Sequence, residues 1–270
     1  LSFIRNLELY PGCRVLVSKR NMIIPHIEEN LDRGHYSKAL IPKKCPCCGK
    51  TTRIFSRAGD KGRLIETLHC DNAECSSQIL HKFIHFAGKK AMDISGISEA
   101  TIEKFMKEGF LKTFHDIYHL DRYRSEIVQM EGFGEKSYDK MIASVEKSRN
   151  TTFARYVVAM DIPMIGRTAS RALERHFHGD LQEFAKAAVD CFDFTSLLDF
   201  GDTMCRNIWD WFHDYGNLKL WKTLQKEVHI KKMEDITMAK KSNSTKSNPF
   251  TGCTIVATGK LEHFTRNGIN

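Results

Sequence analysis

Cys45 and Cys48 form a C-x2-C pair inside "KKCPCCGK", and Cys70 and Cys75 form a C-x4-C pair inside "HCDNAEC", with residues 49–69 between them. Two thiolates on one tight turn can converge on a single ion at about 2.3 Å, and two such turns complete a tetrahedron without strain. Adjacent Cys47 and Cys48 point in different directions, so Cys45 and Cys48 are taken as ligands and Cys47 is left out. Gly49 supports that choice, since the backbone can turn tightly behind the second sulfur where there is no Cβ. His81 and His85, four apart on an expected helix, are a competing pair for two of the four positions. With four protein ligands no position stays open for an activated water, so the expected Zn2+ is structural.

Positioning these thiols is the task of the spacer "TTRIFSRAGDKGRLIETLH", whose two β-prone runs flank a turn rich in Gly and charge, the pattern of a hairpin. A zinc ribbon results. Four thiolates on Zn2+ leave a net charge of −2, yet Lys38, Lys43, Lys44, Lys50, Arg53, Arg57, Lys61 and Arg63 surround them, against Asp60 and Glu66. The excess predicts an external anion such as phosphate, the alternative being a solvated basic surface.

A second pattern follows the cysteines: apolar, any, small, apolar, small. It appears as "ISGIS" (94–98), "MEGFG" (130–134), "IPMIG" (162–166) and "LLDFG" (197–201), and residues of helical periodicity follow each copy. Four helix pairs joined by tight turns are expected. Amides entering the second helix of each pair lack intrahelical acceptors and point outward at the positive end of the helix dipole, so a phosphate fits there. Candidate contacts are Gly96, Ser98, Gly132, Gly134, Gly166 and Gly201, with Lys136 and Arg167 adding charge. Met164 and Asp199 replace the central glycine in the last two copies, and the Asp199 charge opposes phosphate. The competing reading is that the turns only join packed helices.

The rest of the chain frames these sites. With Lys plus Arg at 41 and Asp plus Glu at 33, the net charge is +8, which favours a polyanionic partner. No apolar run approaches the ~20 residues of a membrane span, and the N-terminus lacks a signal-peptide layout, so a soluble intracellular protein is expected. Nine unevenly spaced cysteines argue against a disulfide framework. Residues 1–40 read as strands ("CRVLVSK", a turn at Arg20 and Asn21, "MIIPHI"), too few to close a barrel. Residues 239–249 read as a polar linker, and "CTIVATGKL" as a buried strand opening a new module.

In this order the parts resemble the C-terminal half of bacterial NAD-dependent DNA ligases. "KRNMIIPHI" is similar to that family's late OB-fold segment, "CPCCG" with "CDNAECSSQ" to its zinc finger, "HFAGKKAMDISGISEATIEKF" to the start of its first hairpin, "DIPMIGRTASRALERHF" to its third, and "FTGCTIVATGKLEHFTR" to its BRCT start. The resemblance implies a multidomain, mainly α chain: a partial β OB-fold (1–40), a four-cysteine zinc finger (41–78), four helix-hairpin-helix repeats (79–232), a linker (233–248) and a truncated α/β BRCT start (249–270). It further implies a monomer, cytoplasmic and nucleoid-associated, that clamps nicked double-stranded DNA without reading sequence. NAD and Mg2+ are implied for the full-length enzyme only. Ser98, Asp161 and Asp199 stand where the family usually has Gly, and Asn21 replaces a Gly in the OB turn. The family's adenylated lysine lies in Lys-x-Asp-Gly, which does not occur in these 270 residues, so no catalytic residue is expected and the chain alone should be inactive. A stand-alone duplex-binding protein built from the same modules is the alternative; a nuclease is disfavoured, since no compact carboxylate set is spaced for catalytic metals.

Overall fold

The computed structural model describes residues 1–35, 41–59 and 64–231. Lys38, Asp60, Lys61, Arg63, the expected linker and the expected BRCT start lie outside them. These described residues divide into two compact units, those within 1–89 together with 93–144, and 90–92 together with 145–231. The described part is mainly helical with three two-stranded sheets.

In the first unit, β1 (Val15–Arg20) pairs antiparallel with β2 (Ile24–Asn30), with an irregularity between Leu16 and Val17. The connection places Asn21 and Met22 at φ 49° and 63°, so the turn falls one residue later than the expected Arg20 and Asn21. A short helix, α1 (Ser2–Asn6), precedes the hairpin where strand was expected. Long-range contacts hold it in place: the Arg5 guanidinium lies 2.5 Å from Glu66, whose amide donates to the Ser2 hydroxyl. Glu66 belongs to the expected ribbon hairpin, β3 (Thr52–Ala58) against β4 (Leu64–Cys70), antiparallel and in unbroken register.

The helical part of this unit runs through α2 (Ser76–Ala87), α3 (Glu99–Lys107), a 3-10 stretch (Phe114–Tyr123), α4 (Arg124–Gln129) and α5 (Glu135–Ser148), inside which the division between units falls. Local chemistry sets the boundaries. Ser98 accepts from the Thr101 amide at the start of α3, with Glu99 in the first turn and Lys107 in the last, complementing the dipole. Thr113 and Asp116 form a reciprocal capping box for the 3-10 stretch. Phe83, Phe86, Phe105, Ile102, Ile117 and Leu120 are fully buried, and Phe86 stacks on Phe114 at 4.6 Å.

The second unit contains α6 (Phe153–Ala159), α7 (Arg167–His176), α8 (Leu181–Val189), a 3-10 turn (Phe194–Ser196), α9 (Asp202–His213) and α10 (Tyr215–Leu224). Asp180 and Asp214 cap α8 and α10. Phe184 is central to the core, with ring centroids 5.6 Å from Phe153, 5.3 Å from Phe212 and 5.9 Å from Trp221. A parallel pair, β5 (Asn150–Thr151) and β6 (His229–Ile230), joins the beginning and the end of the described stretch 145–231. Arg149 reinforces it by reaching Glu227 at 2.6 Å.

Candidate functional site

The cysteine tetrad assembles from three pieces of local structure. Cys45 and Cys48 sit on a turn in which the Gly49 amide donates to the Cys45 carbonyl and the Cys45 amide to the Lys50 carbonyl, with Gly49 at φ 70°. Cys70 ends β4, and Cys75 is the N-cap residue of α2. All four sulfurs lie within 4.8 Å of one another, with Cys45 to Cys75 at 3.9 Å and Cys48 to Cys70 at 3.4 Å. Sulfurs bound at about 2.3 Å to one tetrahedral ion would be about 3.8 Å apart, so the set fits a metal such as zinc. Cys47 is exposed and contacts the Ser76 hydroxyl instead, and neither His81 nor His85 belongs to the cluster.

The thiols cannot all ionise unaided. The Lys50 amide draws Cys48 down to about 6. At Cys70 the Asn72 amide acts in the same direction, but desolvation and the sulfurs of Cys48 and Cys45 prevail and push it up to about 12. Cys75 is raised as well, the pull of the Gln78 amide being outweighed by burial and neighbouring sulfurs. Like charges this close exclude one another unless a cation neutralises them. Around the cluster Lys43, Lys44, Lys50 and Arg53 are exposed; Arg53 is paired with Asp71 at 2.7 Å.

All four sequence turns share one backbone geometry. Their third residues, Gly96, Gly132, Met164 and Asp199, have φ of 86°, 84°, 67° and 65°, the left-handed value a type II turn requires at its third position. In the last three copies the fourth-position amide (Phe133, Ile165, Phe200) donates to the first-position carbonyl (Met130, Ile162, Leu197). A helix begins immediately after the fifth residue each time: α3, α5, α7 and α9. Apolar anchors such as Ile94, Ile162, Ile165 and Phe200 are buried, while Ser95, Gly96, Gly132, Gly166 and Gly201 are exposed.

The helix ends differ in how they are satisfied. The Ser98 hydroxyl is engaged in capping α3, and at the second turn the Gly134 amide donates to Ser137 at 3.0 Å. α7 and α9 have no side-chain cap at Gly166 and Gly201, which leaves first-turn amides facing outward. The glycines differ as well. A Cβ on Gly96 would lie 3.3 Å from the Met141 backbone, so close helix packing explains that glycine. A Cβ on Gly134, Gly166 or Gly201 would meet nothing within 4 Å, and none of the three has positive φ. Lys136 and Arg167 are exposed and free of ion pairs among the described residues.

Four further residues at this site went unread in the sequence. Lys104 donates to the Glu131 carbonyl at 2.9 Å, and Asn207 to the Pro163 carbonyl at 3.0 Å. Each sits six positions beyond its helix N-cap, and each braces the second carbonyl of a neighbouring turn. Arg171 and Arg206, five positions past Gly166 and Gly201, are exposed and unpaired among the described residues. The common offset from the N-cap was the available signal.

No family model matches the chain. Curated proteins do. A DNA ligase of Lachnoclostridium phytofermentans is 36% identical over 266 residues, covering 98% of this chain and 38% of that protein. A DNA ligase of Ruminiclostridium cellulolyticum is 33% identical over 267 residues, 98% of this chain and 38% of its own length. One from Persephonella marina is 30% identical over 264 residues, 96% of this chain and 34% of its own. The chain thus spans between a third and two fifths of the length of these relatives. Along nearly its whole length, then, the chain is similar to the C-terminal part of bacterial DNA ligases, and its cysteine tetrad fits a zinc finger.

Proposed function

We propose that this chain is the DNA-clamping portion of an NAD-dependent ligase that seals nicks in duplex DNA, acting as a monomer in the bacterial cytoplasm at the nucleoid. One observation carries the reading: exposed turns of a single backbone geometry each deliver a helix N-terminus, and glycines stand at Gly134, Gly166 and Gly201 where no internal contact requires them. Close approach of an external backbone explains those glycines. Amides entering α7 and α9 take phosphate oxygens, and Arg167, Arg171, Arg206 and Lys136 add charge-assisted contacts. Such contacts hold the duplex without reading bases.

In this reading the turns are helix-hairpin-helix motifs, residues 1–40 belong to an OB-fold, and residues 249–270 begin a BRCT domain. Zn2+ held by Cys45, Cys48, Cys70 and Cys75 is structural, and the ribbon's exposed lysines face the sugar-phosphate backbone. Nucleotidyl transfer from NAD with Mg2+ belongs to the adenylation part of the parent enzyme. Similarity to ligases along nearly the whole chain favours this over a stand-alone DNA-binding protein.

Fluorescence anisotropy with a labelled nicked duplex tests the reading. The logarithm of affinity should fall with log salt at a slope of about −0.9 per phosphate contacted. Gly132→Val and Gly134→Val should each weaken binding about tenfold, the loss of one charge-assisted contact of ~1.5 kcal/mol. Affinity unchanged in both variants would remove this turn from the interface.

A further inference from the structure

α8 and α10 each pack on α9 and leave between them a groove of about 440 Å³. Ala185 and Val189 of α8 and Leu218 and Trp221 of α10 supply its apolar surface, at helical spacing on both sides. Val189 is 41% exposed, a large apolar side chain left open to solvent in the groove wall. Trp221 is 1% exposed, and its indole N–H is buried without an acceptor among the described residues. An unmet hydrogen bond therefore lies in a residue that forms the groove itself.

Charge selects the occupant. Lys186 and Lys222 flank the groove from opposite helices, and Asp190 is the one acid among the described residues lining it. A smaller depression of about 220 Å³ shares Leu218 and Lys222 and adds Tyr215, which is 80% exposed, with Lys219 and Lys226. Lysines thus recur at i, i+3 and i+7 along α10 and just past its end. We propose that this groove docks an acidic amphipathic helix of a partner protein, its apolar stripe on Val189, Ala185 and Leu218 and its carboxylates on the flanking lysines. A nucleic-acid backbone would satisfy the lysines but leave the apolar walls uncovered. None of these residues belongs to the proposed DNA-contacting turns, so the two readings stand or fall separately.

The probe is a labelled synthetic helix of about 15 residues, with leucines at i, i+3, i+4 and i+7 and glutamates elsewhere. An isomer of the same composition, with the leucines scattered, is the control. Anisotropy titration of the 270-residue chain should show saturable binding of the striped peptide and at least tenfold weaker binding of the isomer. Val189→Glu and Lys222→Glu should each weaken the striped peptide about tenfold while leaving the thermal melt and nicked-duplex affinity unchanged. Equal binding of both peptides, or an unaltered affinity in Val189→Glu, overturns the proposal. Competition by an oligonucleotide that is relieved by Lys222→Glu overturns it too, by making the groove a nucleic-acid site.

Discussion

Gly96 and Gly132 occupy equivalent turn positions with almost the same dihedral, φ 86° and 84°, but different surroundings. Replacing either with Ala forces an L-residue into the left-handed region at about 1–2 kcal/mol, offset by about 0.4–1 kcal/mol from the stiffened unfolded chain. At Gly132 nothing lies within 4 Å of the new methyl, so the net loss should stay near 1 kcal/mol. At Gly96 the methyl would sit 3.3 Å from the Met141 Cα, a backbone atom that moves only with α5. Overpacking of this kind costs about 1–3 kcal/mol more, so Gly96→Ala should lose roughly 2–4 kcal/mol in all. Urea unfolding followed by circular dichroism measures both, with the m-value expected to be the same in the two variants. In thermal melts the difference corresponds to a Tm lower by about 2–4 °C for each kcal/mol. Equal losses at the two positions would refute the argument that helix packing explains one glycine and not the other.

Cys75→Ser should abolish stoichiometric zinc binding, whereas Cys47→Ser, His81→Ala and His85→Ala should leave one ion per chain by colorimetric zinc release. Zinc affinity should fall as pH is lowered, because the ligands bind as thiolates and protons compete for them, a trend readable by chelator competition. Asp116 is held below the usual carboxylate range: burial raises it, but the Thr113 and Lys112 amides and the Thr113 hydroxyl outweigh that. Its folded pKa being depressed, the stability it adds is present above the unfolded value and disappears as pH falls through the folded one; Asp116→Asn should therefore cost about 1 kcal/mol near neutrality and nothing in strong acid, as urea melts across that range would show. Asp199→Asn keeps a residue that tolerates positive φ while removing a negative charge, and should strengthen duplex binding about threefold at low salt, less as salt rises.

What could be read from the sequence was what short-range chemistry decides. The cysteine spacing singled out Cys45, Cys48, Cys70 and Cys75 and set Cys47 aside, and the four helices after the turns begin where the pattern ends. Met164 and Asp199 looked like degeneration, yet both adopt the left-handed geometry of the glycines they replace, because the buried neighbours Ile162, Ile165 and Phe200 fix the turn around them. Elements held by distant partners gave no local signal. α1 depends on Glu66, and the β5 and β6 pair closes through the His229 amide on the Arg149 carbonyl, contacts that no window of sequence contains. Nor does spacing distinguish a glycine wedged against a helix, such as Gly96, from one facing open space.

Cys75 does two jobs, as a sulfur of the tetrad and as the residue from which α2 starts. Two turns further along that same helix, Phe83 and then Phe86 enter the aromatic packing around Phe114. Free zinc concentration should therefore act as a thermostat for helical structure well outside the ribbon, since a ligand bound only by the folded form raises its melting point logarithmically. A cell short of zinc would loosen the first unit from its β-hairpin inward, through α2, while every residue of the turns remained chemically intact.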